Sequence, residues 1–133
     1  MVSHSKRKED FSEGRLAPCP DRPNCVASQA QDPRHAIAPL RFSGSADDAM
    51  ARLHEVLSQQ ARCRIVRSEG RYLRAEFRSL VFRFVDDVEF LVDEAEHVIH
   101  FRSASRLGFS DLGVNRARME HIRRAFAAAT SAG

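Results

Sequence analysis

The sequence predicts an α+β fold, a two-layer sandwich in which an antiparallel sheet carries two helices on one face, in the order β-α-β-β-β-β-α. Three observations predict it. From Cys63 to Arg106 apolar and polar residues alternate with a period of two, the pattern of strands with one buried side. On either side of that region, residues 45–60 and 115–129 carry apolar residues at helical spacing. The chain has 133 residues, 43% of them hydrophobic and 29% charged, which suits a single core.

The elements follow in order. "APLRFS" (38–43) reads as a short first strand. "SADDAMARLHEVLSQQ" opens with Ser45, which can cap the amide of Asp48, and places Asp47 and Asp48 at the positive end of the helix dipole. Ala46, Met50, Leu53 and Leu57 form its buried stripe. "CRIVRSE" and "RYLRAEF" are two strands joined at Gly70. "VFRFVDDVEFLV" sets Phe82, Phe84, Asp86, Val88, Phe90 and Val92 on one face, with Arg83, Val85, Asp87, Glu89 and Leu91 on the other. After "DEAE", "HVIHFRSASR" aligns Ile99, Phe101, Ser103 and Ser105. "NRARMEHIRRAFAAA" is a helix with Met119, Ile122, Phe126 and Ala129 inward, capped by Asn115 or Asp111. The same order of elements occurs in TATA-binding-protein-like and helix-grip folds, a likeness that carries no function.

Residues 1–17 read as a disordered polar tail and 18–130 as a single domain. Prolines 18, 20, 23 and 33 exclude a regular helix or central strand from the segment before Pro39, leaving an ordered loop that wraps the domain. Net charge is +3; without the first 17 residues, 17 basic and 15 acidic residues leave +2. That is too small to imply nucleic acid unless concentrated on one face. No apolar run approaches the ~18 residues of a transmembrane segment. The first residues lack the apolar core of a secretory signal, so the expected compartment is the cytosol. There the thiols of Cys19, Cys25 and Cys63 are expected reduced, and their odd number argues against a full disulfide framework. The Cys19-x5-Cys25 spacing matches neither zinc sites nor thioredoxin-like centres. His97 and His100, three apart on a strand, face opposite ways, so no metal site is expected, and no cofactor is called for.

The chemistry-bearing residues gather around two strands and one crossing. A hairpin loop at 93–96 sets Asp86 opposite Ser103 and Asp87 opposite Arg102; a register two residues different sets Asp86 opposite Ser105 and Glu89 opposite Arg102. Asp87, Glu89 and Arg102 suit a cross-strand ion pair on the wet face. Asp86 lies between Phe84 and Val88 in the period-two pattern, so it points toward the core and must be paired there. It is either part of a buried network with Ser103 and Ser105 or one wall of a pocket. In "GFSDLGVNR", Gly108, Gly113, Asp111 and Asn115 build a tight strand-to-helix loop, and Arg116 stands beside free helix amides in an arrangement suited to an anion. Arg116, Arg118, Arg123 and Arg124 read as a solvated helix face, with arginine side chains complementing the acidic strands below. Cys25 would need a base such as His35 to act as a nucleophile.

Three stretches, "CPDRPNCVASQA" (19–30), "FRFVDDVEF" (82–90) and "RSASRLGFSDLGVNRARME" (102–120), resemble the family called domain of unknown function 1499, over about residues 18–129. The resemblance brings no established reaction, substrate or cofactor. It implies one shared surface made of Asn24, Cys25 and Ser28 together with Asp86, Asp87, Arg102, Ser103, Ser105, Arg106, Asp111, Asn115 and Arg116. Ala27 stands where a serine is frequent, which leaves Ser28 as the hydroxyl of that motif. The first expectation is a binding domain for a small anionic or amphipathic ligand near Arg102, Arg106 and Arg116. The others are a hydrolase using Cys25 or Asp86, and a structural or protein-partner module without a ligand.

Overall fold

A computed structural model describes residues 11–132. In chain order they form β1 (Phe11–Ser12), β2 (Arg15–Leu16), β3 (Cys25–Ala27), β4 (Leu40–Arg41), α1 (Ala46–Ser58), β5 (Cys63–Glu69), β6 (Tyr72–Arg78), β7 (Val85–Asp93), β8 (Val98–Ser105) and α2 (Val114–Ala132). Ser45, extended at φ −84° and ψ 156°, accepts the Asp48 amide at 3.0 Å and starts α1. Gly70, at φ +59°, turns β5 into β6. The main sheet is antiparallel with order β3-β8-β7-β6-β5, and β4 pairs with β8 beside β3. Strand β5 is bulged between Ile65 and Arg67.

Both helices cover the sheet face that presents Leu73, Phe77, Val88, Phe90, Ile99 and Phe101, and they pack against each other. Phe90 and Phe101 are wholly buried with ring centroids 6.4 Å apart. Each such side chain contributes roughly 2–3 kcal/mol by leaving water. No helix among the described residues is long and apolar enough to cross a membrane.

Four expectations are corrected. Residues 1–10 of the expected tail lie outside the described residues, but β1 and β2 form a short hairpin. Leu16 is buried, and its amide donates to Gln29 Oε1 at 2.9 Å. The hairpin packs against β7 and β8 on the side away from the helices, so that face is only partly wet. The proline-rich loop contains an edge strand, β3, whose Cys25–Ala27 pair with Arg102–Ala104. Phe82 and Phe84 are not in a strand. Ser79 closes a loop over residues 79–84, donating its amide to Phe84 O and accepting the Phe84 amide on Oγ, both at 2.9 Å. The β7–β8 register is the second of the two considered, with Asp86 opposite Ser105 and Glu89 opposite Arg102. Asp93 Oδ1 accepts the Glu96 amide and His97 takes a left-handed φ of 57°, so the turn closes with Asp93 still paired to Val98.

Candidate functional site

Period two on β7 turns Asp86 toward the helices, where it is buried. Its partner is Arg118 of α2, whose Nη2 donates to Asp86 Oδ2 at 2.6 Å while the guanidinium lies 4.8 Å over the Phe77 ring. Arg118 Nη1 donates to Asn115 Oδ1 at 2.9 Å, and the Ser103 hydroxyl donates to the same oxygen at 2.6 Å. Asn115 Nδ2 donates to Asp111 Oδ2 at 2.7 Å, Ser105 Oγ at 3.0 Å and Asn24 O at 3.2 Å. Asn115 has no exposed surface and joins β3, β8, α2 and the crossing in one network. Arg118 does complement an acidic strand, as expected of that helix face, but from a largely buried position rather than a solvated one. It lies three residues after Asn115 and one before Met119, on the inward stripe, so the helical period already placed it inside.

Of the two candidate caps, Asp111 rather than Asn115 accepts amides at the start of α2. Asp111 Oδ1 accepts the Gly113 amide at 2.8 Å, just before α2, and Oδ2 accepts the Asn115 amide at 3.1 Å, satisfying one free N–H of its first turn. Burial pushes the Asp111 carboxyl up, but the Asn115 side chain and these two amides outweigh it and hold the carboxyl below its ordinary value. A depressed folded value means a stabilisation complete above the unfolded value of about 4 and lost as pH falls through the folded value. Urea titrations of Asp111→Asn should therefore show lower stability at pH 7 and a flatter loss below about pH 4 than the wild type. An unchanged acid limb would remove Asp111 as its source.

A hollow of about 620 Å³ opens at this end of the sheet between β6, the crossing and α2. Asp86, Arg118, Ser105 and Asp111 form its polar part. Phe77, Phe84, Leu107, Leu112 and Val114 form its apolar wall, and Arg62, Arg78 and His121 stand at its edge. Ligand sites commonly combine a mostly apolar wall with a few converging polar groups in this size range.

The remaining expected residues go elsewhere. Arg106 leaves the hollow for the opposite face, where its guanidinium grips Asp87 (2.7 Å) and Glu76 (3.0 Å), and Arg74 adds a second contact to Asp87 at 3.2 Å. Burial pushes the Asp87 carboxyl up; Arg106 and Arg74 together outweigh that and hold it low. Arg102 donates to Pro18 O and lies 3.8 Å from Glu89, which accepts the Tyr72 hydroxyl at 2.6 Å. Arg116 donates to Ala36 O and Arg34 O, and Arg123 to Pro39 O and Ala38 O. These two helix arginines therefore staple the wrapping loop. Ser28 Oγ accepts the Phe101 amide and lies 3.0 Å from His100 Nδ1. The proline-rich loop does meet the crossing, through Asn24 Nδ2 to Gly108 O (2.9 Å) and the Asp111 amide to Pro23 O (3.0 Å). The expected single surface is thus divided, with Arg102, Arg106 and Asp87 facing away from Asp86.

A family model described as "Protein of unknown function (DUF1499)" matches residues 15–126. The chain belongs to that family. Comparison with curated proteins finds no match.

In this DUF1499 domain Cys25 is bonded to Cys19, with the two Cα atoms 5.7 Å apart. The thiol expected to be reduced, and considered as a nucleophile, is therefore not free to attack. His35 Nδ1 engages the Cys25 carbonyl oxygen at 2.8 Å rather than its sulfur. Only Cys63 is a free cysteine, and burial pushes its thiol up to about 11. Iodoacetamide at neutral pH should label the native DUF1499 domain slowly, and the denatured, unreduced chain at one site. Labelling at three sites before reduction would dismiss the Cys19–Cys25 bond. A second hollow of about 610 Å³, beside this disulfide, is crossed by the Asp21–Arg34–Asp32 ion pairs. Its charges already satisfy one another in solvent, which makes it the weaker candidate.

Proposed function

We propose that the chain is a binding domain for a small amphipathic anion, taken up in the hollow beside Asp86 and Arg118. The observation that carries this reading is a charged, hydrogen-bonded floor beneath an apolar wall. Arg118 commits at most three of its five N–H groups to Asp86, Asn115 and Ser103. Arg62 and Arg78 at the edge suit an anionic head, while Phe77, Phe84 and Leu107 suit an alkyl or aromatic body. This moves the anion from Arg102, Arg106 and Arg116, which do not line the hollow, to Arg62, Arg78 and Arg118, which do. The domain's place in the cell is proposed to be an oxidising one, because a disulfide such as Cys19–Cys25 persists there and is rare in the cytosol.

The test is a titration with monomeric dodecyl phosphate followed by amide NMR shifts. Saturable shifts at Phe77, Ser105, Leu107 and Arg118 are expected, and Val114→Trp, at a half-exposed wall position, should weaken binding at least about tenfold by filling the space. Shifts that fail to saturate, or that ignore the Trp, overturn the reading. A second reading, a structural or partner-binding module, is favoured by the completeness of the Asn115 network, in which every side-chain group of that residue has a partner. Under it, variants at Asp86 and Arg118 lose stability and no ligand saturates.

A further inference from the structure

The end of the sheet that bears the hollow also bears a concentration of exposed apolar side chains. On the β6–β7 loop, Leu80, Val81 and Phe82 are 70%, 74% and 73% exposed, and Phe82 stacks on Phe84 at 5.5 Å. On the β8–α2 loop, Leu107, Phe109 and Leu112 are exposed as well. Single exposed apolar residues are ordinary, but a group of them on two neighbouring loops marks an interaction site. The backbone holds them there. Ser79 ties the first loop closed, and Arg83 and Leu112 on the two loops sit at φ 61° and 55°, a region side chains rarely occupy.

Beside the first loop lies a hollow of about 450 Å³ lined by Arg62, Arg64, Arg78 and Arg83. Glu76 is the single carboxylate of that lining, and it already lies within 4 Å of Arg64, Arg78 and Arg106. Four arginines and one carboxylate in this lining leave a local positive excess.

We propose that this end of the domain docks on an anionic lipid bilayer, with the loop side chains entering the interface and the arginine hollow taking lipid phosphate. Apolar side chains at loop tips match a fluid interface that closes around each of them, and guanidiniums match the phosphates of anionic headgroups. A second copy of the chain is a poorer occupant, because a two-fold contact through this patch sets arginines against arginines. The two readings share Arg62, Arg78, Leu107 and Leu112, but Val81, Phe82, Arg64 and Arg83 do not line the 620 Å³ hollow, so changes at those four residues separate them.

Co-sedimentation with extruded vesicles tests it. The domain should bind vesicles of phosphatidylcholine with one-third phosphatidylglycerol, bind phosphatidylcholine alone at least about tenfold more weakly, and be released by salt. Val81→Ser with Phe82→Ser, and separately Arg64→Glu with Arg83→Glu, should each lower binding at least about tenfold while leaving the melting temperature and the dodecyl phosphate titration unchanged. Absence of binding to the anionic vesicles at low salt overturns the proposal, as does binding indifferent to both variants. A wild-type dimer in sedimentation velocity that Phe82→Ser dissolves would assign the patch to self-association instead and overturn it too.

Discussion

Arg118→Ala should destabilise the domain by about 4 kcal/mol at neutral pH, because it leaves the buried Asp86 carboxylate without its counter-charge. The Asp86 side chain is 12% exposed and Arg118 16%, so solvent reaching them through the hollow replaces only part of what each partner supplies. The same change removes the guanidinium from the Phe77 ring and one donor from Asn115 Oδ1. The cost belongs mainly to the orphaned charge rather than to the bond itself. Replacing both partners by leucine should therefore recover much of the loss, because an apolar pair removes both desolvation penalties at once. Chemical denaturation of Asp86→Leu, Arg118→Leu and the double variant reads the coupling directly. A double variant as unstable as the sum of the singles would show that the two residues do not act as a pair.

Asn115→Ala should lower stability by roughly 3 kcal/mol, since it empties a fully buried position and takes a partner from the buried Ser103 hydroxyl, from Ser105 and from the Asn24 carbonyl. For a chain of this length that corresponds to a fall of about 10 °C in melting temperature. Ser105→Ala, which removes one bond at a half-buried position, should cost about 1 kcal/mol. Differential scanning calorimetry compares the two. Equal effects would mean that Asn115 is one bond among many and does not join β3 to the crossing.

The sequence carried the central strands and both helices because each has a clean period and its own punctuation. Ser45 and Gly70 do in the structure what their chemistry suggests, and the α1 stripe of Ala46, Met50, Leu53 and Leu57 is buried throughout. Strand β3 was hidden because its three residues are bounded by prolines and polar groups and are all buried, so no alternation exists to read. Phe82 and Phe84 continued the β7 alternation past its true start, where the Ser79 hydroxyl captures the Phe84 amide and ends the ladder. Of the candidate site, Asp86 was legible from period two and Asp111 from turn chemistry. Arg102, Arg106 and Arg116 were grouped with them on the family resemblance, which carries no information about facing. Neighbouring strand residues face opposite sides, so Arg106 follows Asp87 outward while Ser105 follows Asp86 inward. The Cys19–Cys25 bond depends on how the wrapping loop doubles back, which no local pattern encodes.

The bulge in β5 has a consequence for assembly. An open sheet invites other chains to add strands along its rims, yet both rims here are spoiled for that purpose. On one side β3 and β4 each occupy only part of β8, leaving no uninterrupted row of amides and carbonyls for a visiting strand. On the other, β5 is kinked at Val66 and carries Arg64 and Arg67. Cross-β stacking and swapped strands are thereby discouraged, and partners are directed to the helices or to the loop-bearing end.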